Sequence, residues 1–532
     1  MKYLIAVSGP VASGKSVIAE QALERFSAHR ISTRQLLLDA NVGDDRNRLI
    51  EEGKRLDRET DGAWVVQQSR KYIESHEKCD VIIIDAVRTE QQIRHLRAAY
   101  GDRVRHIHVD VPFALAKKRY EDRALSGDAP SYEQVRADST ESGVWELGRV
   151  ADRVVTNENI SEASLLALAF ADFDLFPRNL NRLVDVLVGG QYGSEGKGNV
   201  VGYISGEYQV LVRVGGPNAG HWVAHPKQKY VQLPSGTRGN PAARILIGAG
   251  ATIWPDQILK EIRECELENS GRLLIDEQAM IIEQSDRDIE SGSLDSIAST
   301  KQGVGVATAR KILNRGERPT FGDKVRLAKD HPDLRRYIGS VGSALEDAYV
   351  NGHRVMLEGT QGTGLSLHHG VWPNVTSRET TASGCLADAG ISPLRVRRVI
   401  MVTRTYPIRV GGTSGPFGEK EIGFEIVAQR SGLPVAEIIK TEVGTISGNK
   451  RRIAEFGWEE VRRAAALNGA TDIALTFADY IAAENKNART FEQLTAETRA
   501  FIREVECVTN APVSLIAKDF AQDGVIDRRD WR

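Results

Sequence analysis

Val184–Gly198 reads VDVLVGGQYGSEGKG. The apolar run Val184–Val188 predicts a buried strand. Gly189, Gly190, Gly193, Gly196 and Gly198 follow at once, with Ser194, Glu195 and Lys197 among them. Glycines packed this densely after a strand let backbone N–H groups close on an anion without Cβ clashes. Lys197 adds a positive charge at the turn. Two readings are open, a structural glycine turn or a phosphate site, and the polar stretches downstream favour the phosphate.

Outward from that stretch, the bulk numbers set the class. The chain has 532 residues, enough for two or three domains. Hydrophobic residues are 41% and charged residues 27%, as in ordinary globular proteins. A net charge of −2 argues against a generic nucleic-acid binder. Cys79, Cys265, Cys385 and Cys507 are far apart and form no CxxC. We therefore expect reduced thiols, a cytoplasmic protein and neither disulfides nor a cysteine metal site. The opening MKYLIAVSGP is too short an apolar run for a signal peptide, and no stretch approaches a membrane span.

Upstream, Tyr3–Val7 predicts a strand, and Gly9–Ser16 (GPVASGKS) fits GxxxxGK[ST] in full. An amphipathic helix is predicted next, over Ser16–Ser27. Strand, glycine loop and helix in that order are the context a P-loop needs. Gly9, Ser13 and Gly14 would cradle phosphates with Lys15, and Ser16 would hold Mg²⁺. Val81–Asp85 (VIIID) is an apolar strand ending in an acid, either a metal-facing carboxylate or a capping aspartate. Pro112–Arg123 carries Lys117, Lys118, Arg119 and Arg123, either a solvated face or the lid of a small kinase. From these motifs, residues 1–170 resemble the nucleoside monophosphate kinase branch of P-loop proteins, dephospho-CoA-kinase-like members included. The resemblance implies an acceptor site near Arg34, Arg46 and Arg48 and does not name the acceptor. Phe170–Arg182 has little periodicity. We predict a kinase-like domain over 1–172, a linker over 173–182 and a second domain over 183–532.

Downstream, a second strand ends in Gly215-Gly-Pro-Asn218-Ala-Gly220-His221, and LPSG (Leu233–Gly236) and ILIGAG (Ile245–Gly250) follow. With Ser299-Thr300-Lys-Gln-Gly, Glu358-Gly-Thr-Gln361-Gly, Pro373-Asn-Val-Thr376 and Gly448-Asn-Lys-Arg451-Arg452, this ordered set resembles the adenylosuccinate synthetase family, in its compact archaeal and phage form. That family phosphorylates O6 of a purine nucleotide and then lets aspartate displace the phosphate at C6. The resemblance implies roles. His221 would contact O6 and the moving phosphoryl group, and Lys197 would hold the triphosphate with Gly193, Gly196 and Gly198. The Gly220 carbonyl would ligate Mg²⁺. Asn218, Thr300, Gln361 and Thr376 would bind the purine monophosphate, and Arg451 with Ser447 would clamp aspartate. It also implies a homodimer.

Several positions depart from the family pattern. Its usual GDEGKG loop has serine here, Ser194, in place of the aspartate that removes the N1 proton. A serine leaves room for, and accepts a hydrogen bond from, a guanine 2-amino group. The phage branch acting on dGMP has serine there. Asn449 replaces an arginine near the ribose, and Asn314 replaces an arginine that reaches the neighbouring subunit. At the donor base site Asp479 is kept, as Thr476-Phe477-Ala478-Asp479, but its usual neighbours are gone, which favours ATP or dATP over GTP. The expectation is an α/β protein in two parts: a P-loop kinase domain on a parallel sheet, and a synthetase-like domain on a large central sheet. It would join aspartate to dGMP with a catalytic set of Ser194, His221, Lys197 and Gln361. The rival readings are an IMP- and GTP-using synthetase and a silent purine-nucleotide sensor.

Overall fold

Tyr3–Ser8 (YLIAVS) is buried except at its first residue and forms the middle of a five-stranded sheet. In a computed structural model of the protein, residues 1–39, 46–123, 130–176, 181–442, 451–519 and 524–531 are described. The fold divides into two units, Met1–Phe176 and Pro177–Arg532.

In the first unit the spatial order of strands is Ala28–Ser32, Val81–Asp85, Tyr3–Ser8, Val104–Asp110 and Arg153–Thr156, all parallel. Parallel strands covered on both faces read as continuous apolar runs. Leu4 and Ala6 join one core, with Ile82 and Ile84. Ile5 and Val7 join the other, with Ile18 of the helix Lys15–Arg25. The period of two therefore shows in which core each residue enters. Phe173 and Leu175 lie in the segment predicted to be linker. Both are buried in this second core, where Phe173 meets Tyr3 and Phe170 edge-on or tilted. The first residues of that segment thus pack with the first unit, and the division between the units follows at Phe176–Pro177.

In the second unit ten strands form one sheet. Val184–Gly189 is central, between Val355–Glu358 and Val396–Arg404. Outward on one side lie Val210–Arg213, Arg244–Ile247, Leu273–Asp276 and Ile338–Gly339. On the other lie Asp472–Thr476, Val513–Ala517 and Val525–Asp527. Every pairing is parallel except the last, which is antiparallel. Val184, Val186 and Val188 face one core and Leu187 the other. Asp185, also fully buried, accepts from Tyr208 Oη at 2.7 Å and from Arg397 Nε at 2.9 Å. A buried carboxylate persists only when its lone pairs are met in this way. The α/β expectation holds for both units. Among the described residues no helix is long and apolar enough to cross a membrane.

Candidate active site

The loops after the carboxyl ends of adjacent parallel strands are where open α/β sheets hold ligands. In the first unit that loop is Gly9–Gly14, between Tyr3–Ser8 and the helix Lys15–Arg25. Gly14 has φ 98°, and a Cβ there would come within 2.3 Å of Asn157 Nδ2. That amide donates to Ser13 O at 2.7 Å and pins the loop. Ser13 Oγ is buried with no partner. Lys15 Nζ donates to Gly9 O (2.6 Å) and Pro10 O (2.8 Å). Burial pushes its pKa down to about 7, with the Arg88 guanidinium adding to the effect. A lysine folded back on its own loop is a charge without an anion. Ser16 Oγ donates to Asp85 Oδ2 at 3.3 Å, and Arg30 Nη2 donates to the same oxygen at 2.5 Å. Asp85 thus faces the loop but is shared with Arg30, a partner that sequence reasoning did not find. Arg119 reaches the loop's support, donating to Asn157 O at 3.2 Å. Lys117 instead pairs with Glu133 at 2.6 Å, and Lys118 and Arg123 are exposed. The cation row is therefore split between a loop contact and a solvated face. The side chain of Arg46 lies outside the described residues.

In the second unit a cavity of about 620 Å³ is lined by loops from several strands. It brings together Gly193, Ser194, Asn218, Gly220 and His221 with Thr300, Gln361, Thr376 and Arg451. Asn218 Nδ2 and Gln361 Nε2 both donate to Thr376 Oγ1, each at 3.2 Å. Gln361 has φ 59°, an uncommon conformation for a residue with a side chain, and Asn218 Oδ1 is buried with no partner.

His221 shows how the electrostatics are set. Its Nδ1 meets Glu358 Oε1, with Ser235 Oγ donating to the same oxygen at 2.5 Å and Arg213 Nη1 at 2.9 Å. Burial alone would raise the Glu358 pKa, but Arg213, His221 and Ser235 hold it down to about 2. Burial first, then Arg213, hold the imidazole down to about 4. The ring is neutral in the free protein, with Nδ1–H donating to Glu358. Nε2 is buried and has no hydrogen-bond partner. Glu358 ends the apolar strand Val355–Glu358, and Arg213 likewise ends Val210–Arg213. A charge closing a buried strand is the sequence signal that would have found both.

Lys197 and Glu195 lie under the loop and are absent from the cavity wall. Lys197 Nζ donates to Glu195 Oε2 (2.7 Å) and Gly193 O (3.2 Å). Glu195 Oε1 accepts from the backbone N–H of Gly193 (2.7 Å) and Gln191 (3.0 Å). The Lys197 side chain thus holds the loop in shape in this protein. Arg451 lines the cavity and is anchored by Glu442 Oε2 at 3.0 Å. Glu442 also accepts from Arg404 (2.5 Å) and Tyr480 (2.8 Å). Arg404 donates in turn to the Ser194 carbonyl at 3.1 Å. Tyr192 and Arg409 were not assigned roles from sequence. They line the cavity with Arg409 stacked on the Tyr192 ring at 4.2 Å.

Asp479 lies apart, in a second cavity of about 170 Å³. Asn314 is folded into its own subunit: Nδ2 donates to Phe321 O (2.6 Å) and Asp323 O (2.9 Å), and Oδ1 accepts two backbone N–H groups. Ser447 and Asn449 lie outside the described residues.

Residues 186–321 and 323–486 match the sequence profile described as adenylosuccinate synthetase, and residues 4–139 match one described as an AAA domain. The adenylosuccinate synthetase of Pyrococcus horikoshii is 38% identical over 354 residues, covering 65% of this chain and 98% of the relative. That of Methanocaldococcus jannaschii is 36% identical over 354 residues, covering 65% and 96%. A solved cyanophage S-2L succinoaminodeoxyadenylate synthetase (PurZ), bound to dGMP and dATP as an energy donor, is 29% identical. It covers 65% of this chain and 96% of that one, with a TM-score of 0.54. A fully ligated adenylosuccinate synthetase from Plasmodium falciparum shares the fold, at 22% identity and a TM-score of 0.57, covering 65% of this chain and 100% of that one.

Proposed function

This chain belongs to the adenylosuccinate synthetase family, fused to an N-terminal P-loop kinase-like domain, and we propose that its second unit joins L-aspartate to C6 of dGMP. The product is N6-succino-2-amino-dAMP, and ATP or dATP is the phosphoryl donor. The first unit phosphorylates a nucleotide of the same pathway, and the protein acts as a homodimer.

The observation that carries this reading is Ser194 on the wall of the cavity that also holds His221 and Asn218. A serine there can accept from a guanine 2-amino group, where a carboxylate would crowd it. The relative bound to dGMP and dATP supports the choice. Glu195 does not replace the missing carboxylate as a base, because both its oxygens are engaged by the loop and Lys197.

The chain's own groups fit the chemistry. The family's ATP- or GTP-type donor phosphorylates O6 as the N1 proton passes to water, and the aspartate amine then attacks C6 as phosphate leaves. His221, held at Nδ1 by Glu358, presents Nε2 to the developing phosphoryl charge. A dianion beside that ring raises its proton affinity, so the imidazole charges as the phosphoryl group arrives. Asn218 and Gln361, aligned through Thr376, orient the base. Arg451 presents a guanidinium, fixed by Glu442, to the aspartate carboxylate.

Mg²⁺ keeps most of its ligands from water and phosphate and takes one or two from protein. Among the described residues no group of three His, Cys, Asp or Glu stands ready for a metal. The donors present fit that minimal demand: Gly220 lines the large cavity and would offer its carbonyl, and Ser16 with Asp85 would serve in the first unit. Bound there, Mg²⁺ would neutralise phosphate charge during transfer.

A second reading, IMP with GTP, is favoured by the archaeal relatives, which carry the adenylosuccinate synthetase name. The variant Ser194→Asp separates the two. On our reading it lowers kcat/KM for dGMP at least about tenfold and leaves IMP use equal or better. Unchanged dGMP kinetics in that variant would remove the serine argument.

A further inference from the structure

Two of the glycine motifs, Gly215-Gly-Pro-Asn218 and Ile245–Gly250, make room for one arrangement behind the cavity wall. Gly215 has φ 106°, and a Cβ there would come within 2.4 Å of Thr360 Oγ1 and 2.5 Å of Arg378 Nη1. A Cβ on Gly250 would come within 2.3 Å of Asp388 Oδ1. Asp388 lies on the helix Ala382–Ala389 and accepts from Arg378 Nη2, and the Gly250 N–H donates to its backbone carbonyl at 2.8 Å. Arg378 Nη1 donates to Thr360 Oγ1 at 2.7 Å. Thr360 Oγ1 donates to Gln361 Oε1 at 2.9 Å, and Gln361 Nε2 donates to Thr376 Oγ1 at 3.2 Å. Thr360 is 1% exposed, and neither it nor Arg378 lines the cavity that Gln361 and Thr376 line.

The direction of each hydrogen bond follows from the first. A guanidinium donates and cannot accept. Thr360 Oγ1 must therefore accept from Arg378, and its single proton is left for Gln361. That proton goes to the amide oxygen. Oε1 is held inward, and the NH₂ group is turned to the cavity. One of its N–H bonds is taken by Thr376 Oγ1, and the other is left for a ligand. At Gln361 the wall thus offers a donor.

We propose that Arg378 is a positioning residue that fixes the Gln361 amide as a donor toward the purine, so that the site takes a 6-oxo base and refuses a 6-amino one. This rests on the reading above, in which Gln361 orients the base. A 6-oxo group offers an acceptor to the Gln361 N–H. A 6-amino group sets its own N–H against that donor and leaves both unmatched in a buried place. Without the guanidinium, the Thr360 hydroxyl can accept from the amide as readily as donate to it, and the Thr376 hydroxyl can donate to Gln361 in turn. The amide is then free to rotate and present its oxygen to a 6-amino group.

The test compares the full chain with Arg378→Met, Thr360→Val and Thr360→Ser. Initial rates of succinyl product formation give KM for dGMP and Ki for 2-amino-dAMP, which differ only along the N1–C6 edge; IMP and AMP form a second such pair. In the wild type, Ki for the 6-amino nucleotide is expected to exceed KM for its 6-oxo partner at least about tenfold. In Arg378→Met and Thr360→Val, KM should rise and Ki should fall, closing most of that gap. Thr360→Ser keeps the hydroxyl and should keep the gap. A merely structural role would raise KM and Ki together. Such a common rise, or a gap unchanged in Arg378→Met and Thr360→Val, overturns the inference. Product from IMP alone would strike the dGMP reading, and the IMP and AMP pair would still read the relay. If neither substrate gives product, the ligase reading fails, and the same opposed shifts are read from Kd values by calorimetry, the first unit being identical in all the variants.

Discussion

Glu195 and Lys197, two residues apart, form a wholly buried ion pair with Nζ and Oε2 at 2.7 Å. Each removes the other's cost. Taking two charges out of water is expensive, and breaking a buried pair from one side costs about 3–5 kcal/mol. Glu195→Gln should therefore destabilise the second unit by about 3–5 kcal/mol in urea unfolding. The double variant Glu195→Gln, Lys197→Met should recover most of that stability while staying inactive. If the single variant unfolds like wild type, the pair does not hold the loop.

Removal of the imidazole tests the arrangement around Glu358. His221→Ala should lower kcat for succinyl product about 10²–10⁴-fold with dGMP binding retained. Glu358→Gln should act in the same direction, because a neutral amide accepts Nδ1–H more weakly and no longer stabilises the imidazolium that forms. A Glu358→Gln enzyme with wild-type kcat would show that the ring needs no such anchor.

Arg451 presents a planar fork fixed by Glu442. Arg451→Lys keeps the charge and loses the fork, so the KM for aspartate should rise by an order of magnitude or more, about 1.5–3 kcal/mol of charged hydrogen bonding. The KM for dGMP should not follow. A parallel rise in both would place Arg451 elsewhere in the chemistry.

The first unit carries a proton prediction. Lys15 has a pKa lowered to about 7 in the free protein, from the usual 10.5, so at pH 8 it is mostly neutral. Phosphates favour the charged form and restore its higher pKa. Binding of ATP at pH 8 should then take up close to one proton, and at pH 6 almost none. Calorimetry in buffers of different ionisation enthalpy reads this directly. Equal uptake at both pH values would contradict it.

Much of this was legible in the chain, for physical reasons. Val184–Val188 and Tyr3–Val7 are apolar runs closed by glycine, and both became central parallel strands. Ser194, Asn218, His221, Gln361 and Thr376 stand in short motifs, and the loops that carry them meet in one cavity. What was not legible depends on long-range partners. Glu358 lies 137 residues from His221, and Arg30 lies 55 from Asp85. For Lys197 the partner Glu195 is only two residues away, but a sequence does not say which way either side chain turns; in the structure the two pair under the loop. Phe173 looked like linker because a few aromatic contacts leave no period in a sequence.

Whether the second unit takes a guanine deoxynucleotide is tested most directly by substrate choice. Purified protein is mixed with aspartate, Mg²⁺ and ATP, and dGMP, GMP and IMP are offered separately, with product mass as the readout. A succinyl adduct on dGMP that depends on aspartate is expected. An adduct on IMP with none on dGMP would contradict it and return the chain to the reaction for which its archaeal relatives are named.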